Sequence, residues 1–389
     1  MKILKSLILS AASVCLLANV QAQEVTSGAE VKIGGEARLE YQSKTEKYDG
    51  NKLIGGSVPK ANNEFDVEVN LTFDYETENT WGGIKLEFDN NTGVGSRKGD
   101  HVDLEDAFIG IRDQVDLEKA FFGINIMEEG SSRFDVEFGR NQGDKIFESK
   151  VQFDSYFDGI FLKYANSFEN VGDFYAHVGS FMVNAVIDHY AFVGEIGLLD
   201  IADTGVYAKY SYIDWSKNGA STLTAKGIGT ATANPYKYEI SQLTAGWKLD
   251  PEVLRAETVV YGAYLWNHAA KGIAETNNKK KNRGWYLGAK VGEIVKAGDW
   301  SVEANYQHVP AQAVPGTATL NDASGIGRGD NQTTTFRGSN YKGYELDAKF
   351  ALADNLNLQI DWQASSAADK TIGAKNTYKQ LEVEAIFKF

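Results

Sequence analysis

Between Glu64 and Tyr75 the chain reads EFDVEVNLTFDY, and this alternation narrows the possible folds more than any other feature. Phe65, Val67, Val69, Leu71, Phe73 and Tyr75 share one parity, while Glu64, Asp66, Glu68, Asn70, Thr72 and Asp74 share the other. Successive side chains of a strand point to opposite sides, so an extended backbone here has one apolar and one hydrated face. The run is long for a strand of a soluble domain, where about 5–6 residues is usual. About 9–11 tilted residues are what a strand needs to cross a bilayer. Lipid outside and water inside account for both the alternation and the length.

The same pattern recurs along the chain. Scored for alternation, the sequence predicts strands over 31–41, 64–75, 84–88, 104–112, 133–140, 156–164, 174–183 and 189–198. A second eight follow at 205–214, 236–249, 254–266, 285–295, 300–308, 341–352, 356–362 and 378–389. Residues 113–132 are ambiguous: Phe122, Ile124 and Ile126 alternate, whereas DQVDLEKA suits a helical turn. They are assigned to an elaborated turn, because another strand would make the count odd. Connections alternate between short (76–80, 249–252, 296–298) and long (215–235, 268–282, 310–340). Short periplasmic turns and long outer loops are the asymmetry of an outer-membrane barrel, and closure removes the edges that lipid does not tolerate. The expected fold is all-β: a transmembrane antiparallel barrel of about sixteen strands, with 14 or 18 as the alternatives.

The two ends agree with export. Residues 1–22 carry Lys2 and Lys5, an apolar run from Leu7 to Leu17, and the small-residue site Val20-Gln21-Ala22. That is the pattern of a cleaved secretory signal peptide, the apolar run being too short to span. The expected organisation is a signal peptide over 1–22 and one barrel domain over 23–389. Cys15 is the single cysteine. A lipid on it would need a smaller residue than Val14 before it, and a mature chain without it has no disulfide or cysteine-ligated metal. Loss of Lys2 and Lys5 from 39 basic residues, against 53 acidic ones, takes the net charge from −14 to −16, which argues against nucleic acid as a partner. The mean hydropathy of −0.34 does not argue against a membrane, since barrel strands are only half apolar. Five prolines, 39 glycines and 46 aromatics (20 Phe, 19 Tyr, 7 Trp) suit long strands with aromatic girdles. Trp81, Trp247, Trp266, Trp285, Trp300 and Trp362 fall within or at the ends of the expected strands, where a lipid–water boundary favours indole. At the C-terminus, LEVEAIFKF alternates up to a final Phe. Leu381, Val383, Phe387 and Phe389 on one face resemble the signal that barrel assembly machinery recognises on Gram-negative outer-membrane proteins. An ordinary last strand of a soluble sandwich would alternate in the same way.

Two neighbouring stretches carry a more specific resemblance. Ala107-Phe108-Ile109-Gly110-Ile111 and then Phe134-Asp135-Val136-Glu137-Phe138-Gly139-Arg140-Asn141-Gln142 resemble successive strands of Gram-negative general diffusion porins, and Phe157-Asp158-Gly159-Ile160 resembles the strand that follows. The insertion at 113–132 and the short loop after Arg140 depart from that family. The resemblance implies that residues 141–155 fold into the barrel as a constriction loop, with Asp144, Glu148 and Asp154 as its acidic side. It implies basic residues on the facing wall, and by alternation Arg38, Lys85, Arg112 and Arg133 lie on polar faces. Opposed charges across an aqueous lumen set up a transverse field that filters small solutes by size and charge. The expected function is passive diffusion of small hydrophilic solutes and ions, moderately cation-preferring, without a cofactor or bound metal. Its partners would be outer-membrane lipid, lipopolysaccharide and the assembly machinery, with a homotrimer implied by the resemblance alone.

Other chemistry is faint in the sequence. His101, His177, His189, His268 and His308 lack metal-ligand spacing. His177 and His189 are expected to face the lumen on adjacent strands, as polar lining before any ligand set. Lys279-Lys280-Lys281 with Arg283 reads either as a hydrated loop tip or as a contact for lipopolysaccharide phosphates. Two competing functions remain: a sugar- or anion-selective channel, which needs a lumen track of aromatic or basic residues, and an outer-membrane enzyme, which needs a Ser/His or Asp/His cluster once the strands are in register.

Overall fold

The computed structural model describes residues 29–48, 51–52, 62–92, 114–143, 146–153, 156–184, 189–215, 222–225, 229–232, 237–249, 256–315, 339–372 and 377–389. Sixteen antiparallel strands close on themselves. In chain order they are β1 (Glu30–Tyr48), β2 (Asn62–Glu76), β3 (Thr80–Thr92), β4 (Gln114–Glu129), β5 (Ser132–Gln142), β6 (Tyr156–Phe168), β7 (Gly172–Asn184) and β8 (His189–Leu199). The second half comprises β9 (Val206–Asp214), β10 (Glu239–Leu249), β11 (Thr258–Asn267), β12 (Arg283–Gly292), β13 (Trp300–Val309), β14 (Tyr341–Ala353), β15 (Leu356–Ala367) and β16 (Thr377–Lys388). Each strand pairs with its neighbours in sequence, and β1 pairs with β16, as in Glu40↔Glu384 and Tyr41↔Val383. The seam is finished by the terminal residue: Phe389 N–H donates to Gly35 O at 3.0 Å, and Gly35 N–H donates to Phe389 O at 2.9 Å. A Cβ on Gly35 would lie 2.2 Å from Asn70 O and 2.8 Å from the Phe389 ring, so only glycine admits that close approach. A two-residue strand, Asn51–Lys52, folds back and pairs antiparallel with the end of β1, and a short hairpin joins Thr222–Ala225 to Gly229–Thr232. No described helix is long and apolar enough to cross a membrane.

Register carries the alternation around the barrel. Outward lie Val31, Ile33, Leu39, Phe65, Val67, Ile160, Leu243, Leu287, Phe350, Leu381, Val383, Phe387 and Phe389, all exposed on the isolated chain. Leu287, at 61% relative exposure, shows how bare this surface is; a band of this extent is stable only against an apolar medium. Trp247, Trp266, Trp285 and Trp300 are also outward and exposed. Trp81 is not: it is cross-strand from Gly123 and has the Arg133 guanidinium 5.5 Å from its ring, so it lines the lumen at the short-turn end.

The expected order of strands holds except at the fourth. Residues 104–112 lie outside the described residues, and 113–132, assigned to a turn, instead contain β4. The cause is two bulges. Lys85↔Lys119 is followed by Leu86↔Leu117, which leaves Glu118 extra, and a second slip falls between Asn125 and Met127. Each bulge reverses which parity faces lipid: Val115 and Leu117 are outward before the first, Phe122 after it. A single period therefore fails across this strand. The leader expected over 1–22 lies outside the described residues.

Candidate functional site

β5 stays paired with β6 to Gln142↔Tyr156 before the chain enters the lumen, and within the strand Gly139 takes left-handed backbone. Its φ of +118° and the 2.4 Å from its ideal Cβ to Ala120 O exclude a side chain there. The segment after Gln142, as far as it is described, folds inward and packs against the inner faces of β6–β13. Phe147 and Phe153, both fully buried, meet each other at 5.4 Å between centroids. Around them close Phe161, Phe181 and Trp215, the last stacked on Phe153 at 5.6 Å. Each such ring contributes about 1.5–3 kcal/mol by burial, enough to hold Phe153 in left-handed backbone at φ +71°.

Polar groups pin the same segment. Glu148 accepts from Lys209 Nζ at 2.9 Å, and its backbone N–H donates to Glu195 at 3.0 Å. Ser149 Oγ donates to Gln242 at 3.1 Å, and Trp215 Nε1 donates to Gln152 at 3.1 Å. Lys150 reaches Glu303 of β13 at 2.7 Å. Burial disfavours the Lys150 ammonium, but the charges of Glu303, Glu345 and Glu148 outweigh it and hold its pKa above the ordinary lysine value. His177 contacts Ile146 O through Nδ1 at 2.9 Å. Its cross-strand partner is Glu195, while His189 pairs with Asn184 at the other end of β8, so the two histidines are not neighbours. On the wall towards the short turns, Tyr175, Tyr207 and Tyr261 lie over Gly197, Gly246 and Gly288 of the next strand, whose ideal Cβ positions fall 2.2–2.5 Å from the rings.

The opposite wall has a different chemistry. One cross-strand row runs Gln42, Glu382, Asp361, Asp347, Glu303 from β1 through β16 to β13. The row beside it runs Asp66, Glu40, Glu384, Gln359, Lys349. Like charges directly opposite on a sheet are destabilising, yet Asp361 sits between Asp347 and Glu382. Amides moderate this: Gln42 and Gln380 both donate to Glu382 at 2.6 Å, and Gln359 donates to Asp347 at 3.1 Å. Among the described residues Asp361 Oδ1 has no hydrogen-bond partner. Carboxylate oxygens of Glu40, Glu382 and Glu384 all lie within 4.8 Å of one another; among the described residues this is the grouping whose spacing suits a divalent cation.

The residues named from sequence are distributed as follows. Glu148 is in the inward segment but is neutralised by Lys209; Asp144, Asp154 and Arg112 lie outside the described residues. Arg38 faces the lumen beside Glu36, with Glu68 and Glu384 around it, and Lys85 pairs with Glu118. Arg133 bonds Asp135 at 2.9 Å near the short turn after β4, away from the inward segment. These bases are paired within their own wall rather than arrayed against the loop. Missed altogether were Glu40, Asp361, Glu382 and Glu384. For Glu382 and Glu384 the signal was present in LEVEAIFKF, where they hold the polar parity.

Comparison with known proteins fits this geometry. Residues 236–389 match the profile of a family described as "Putative porin". The structure of OprB from Pseudomonas putida superposes with a TM-score of 0.55 at 9% identity, over 96% of this chain and 97% of that one. A variant of the Rhodopseudomonas blastica porin reaches a TM-score of 0.43 at 11% identity, over 92% and 100%, a likeness too slight to carry an argument. No curated protein sequence matches the chain significantly. The chain has the closed sixteen-strand fold of outer-membrane porins, and its C-terminal 236–389 carry the sequence pattern of a porin family.

Proposed function

We propose that this chain is an outer-membrane channel through which small hydrophilic solutes and ions diffuse, with a preference for cations. The reading rests above all on the acidic rows of β14–β16 and β1–β2. They stand opposite a segment whose own described carboxylate is neutralised, so net negative charge is concentrated on one side of the lumen. A cation passing about 4 Å from one such carboxylate in water gains about 1 kcal/mol, and several in a row multiply the bias. In this reading Asp144 and Asp154 add to the acidic side, and Arg38, Lys85, Arg112 and Arg133 are the bases of the pore wall that shape its field. Residues 1–22 direct export and are removed; Leu381, Val383, Phe387 and Phe389 present the assembly signal. The barrel sits among outer-membrane lipid and lipopolysaccharide as a homotrimer. Planar-bilayer recording in a salt gradient tests the reading: the reversal potential should take the sign of cation preference, and an anion-signed potential would overturn it.

A second reading has one observation behind it. Tyr175, Tyr207 and Tyr261 pack over glycines on the lumen wall, and aromatic rings along a lumen suit sugars. Sugars that block ion current in a saturable, concentration-dependent way would support selectivity of that kind. The enzyme alternative also meets a contact of the type it requires, Ser241 Oγ to His268 Nε2 at 2.8 Å. Tyr210 OH shares Ser241 at 2.9 Å, and among the described residues no hydrogen-bonded carboxylate orients His268, so the base lacks the third group that nucleophile activation uses.

A further inference from the structure

On a molecule with a formal charge of −14, the outward rim at the long-loop end of β11–β13 is positive. A cleft of about 580 Å³ opens there between the β11–β12 loop, the start of β12 and the β15–β16 loop. Lys280, Lys281 and Arg283 border it on one side, Asn340 and Asp369 on the other, with Trp266 as its apolar side. Arg283 is cross-strand from Trp266 and holds its guanidinium 5.4 Å from the indole; the His268 ring packs tilted against the same indole at 4.3 Å. Asp369 engages Lys281 at 2.7 Å. Among the described residues, neither Lys280 nor Arg283 has an ion-pair partner. The cleft thus keeps two uncompensated cations, one of them oriented by cation–π stacking.

Its position narrows what those cations can meet. Trp266, Arg283, Trp285 and His308 share the outward face, and towards the short-turn end that face continues into exposed Tyr264, Leu287 and Tyr306. The cations therefore sit where an apolar band gives way to water, the depth of a lipid head group. A fork-shaped guanidinium beside an ammonium suits a phosphate monoester, the first bidentate and the second a point charge. We infer that this cleft binds the phosphate of an outer-leaflet phosphorylated glycolipid, with the phosphate between Lys280 and Arg283 and the acyl chains along Tyr264 and Leu287. Inorganic phosphate shares the anionic chemistry but none of the apolar contact. The inference rests on the outer-membrane reading, with the long loops facing outward.

Native mass spectrometry of the full chain in detergent tests it, with diphosphoryl lipid A, its dephosphorylated form and inorganic phosphate as the three probes. The unaltered chain should retain diphosphoryl lipid A about tenfold more tightly than the dephosphorylated form, a factor that matches one or two charge-assisted hydrogen bonds. Excess inorganic phosphate should not displace it. Lys280→Ala with Arg283→Ala should abolish the difference, while Lys248→Ala with Lys296→Ala, at the short-turn end, should leave it intact. Equal retention of the two lipids by the unaltered chain overturns the inference whether or not the variant folds. Undiminished retention by Lys280→Ala/Arg283→Ala overturns it as well, and displacement by inorganic phosphate overturns the lipid as the source. Conductance in bilayers of synthetic phosphatidylcholine separates this outcome from failure of the channel reading: the variant should conduct as the unaltered chain does.

Discussion

The two sides of the lumen are built from the same kind of strand and do opposite things with their inward face. From β6 to β13 the inward residues towards the long loops include Phe157, Phe161, Phe181, Val193, Ile213, Ile240 and Leu265, all buried beneath the inward segment. From β14 through β16 to β2 the inward residues include the carboxylates Glu345, Asp347, Asp361, Glu384, Glu382, Glu40 and Asp66. The first side is a dry core inside a barrel, and it gives the segment after Gln142 a surface to adhere to. Among the described residues the second has no such cover, and its carboxylates lie on the lumen face. Narrowing and selectivity are therefore assigned to different walls, whereas the sequence reading placed both on the loop and its facing bases.

The comparison can be broken most severely on the packed side. Phe153→Ala removes a ring held between Phe147 and Trp215 and should cost about 3–5 kcal/mol. The readout is a lower midpoint of heat-modified gel migration, together with a larger single-channel conductance as the segment loosens. An unchanged conductance would mean that the segment does not narrow the path. Next in size, Lys150→Met leaves Glu303 without its 2.7 Å partner and should cost about 1.5–3 kcal/mol, read by the same melting assay. The high pKa of Lys150 sets the sign of the pH dependence. The tether is fully present below lysine's ordinary value near 10.5 and is lost only as pH rises through the higher folded value.

On the charged side, Glu382→Gln with Glu384→Gln should leave the melting midpoint unchanged or raised, since it relieves like-charge crowding. It should lower the cation-to-anion permeability ratio by about fivefold, as about 1 kcal/mol of lost attraction implies. The smallest effect lies outside both walls. Asp369 is held at a pKa of about 2 by hydrogen bonds from Lys281 and then from Thr371. A depressed acid contributes stability above its unfolded value near 3.8 and loses it as pH falls towards 2. Asp369→Asn should flatten that limb of the pH–stability curve, by no more than about 1 kcal/mol for so exposed a pair.

How much of this was legible follows from where period two survives. β2 and β16 alternate without interruption, and their register, lipid face and closure could be read directly. β4 could not, because Glu118 and the slip after Asn125 invert the parity within one strand. The sequence also offers two near-copies, Val102–Ile111 and Val115–Ile124, which differ only in Asp106 against Lys119 and Ile109 against Phe122. The reading took the first for the strand, and β4 is built from the second. The packed core was hidden for a related reason. Runs such as FDGIFL and AFVGEIGLL are apolar on both parities, the mark of strands buried on both faces, but a search for one greasy face passes over them. The acidic rows were visible as alternating carboxylates, yet which strands bring them side by side depends on closure between β1 and β16.

The single cysteine of the sequence, Cys15, precedes every barrel strand, so single cysteines placed in the barrel can report directly on which wall meets water. Glu382→Cys on the charged wall and Gln242→Cys beneath the inward segment should be exposed in turn to a small cationic thiol reagent during bilayer recording. The account predicts rapid modification of the first, with a stepwise fall in conductance, and little or none of the second. Equal modification at both positions, or none at Glu382→Cys, would contradict a water path that follows the acidic wall.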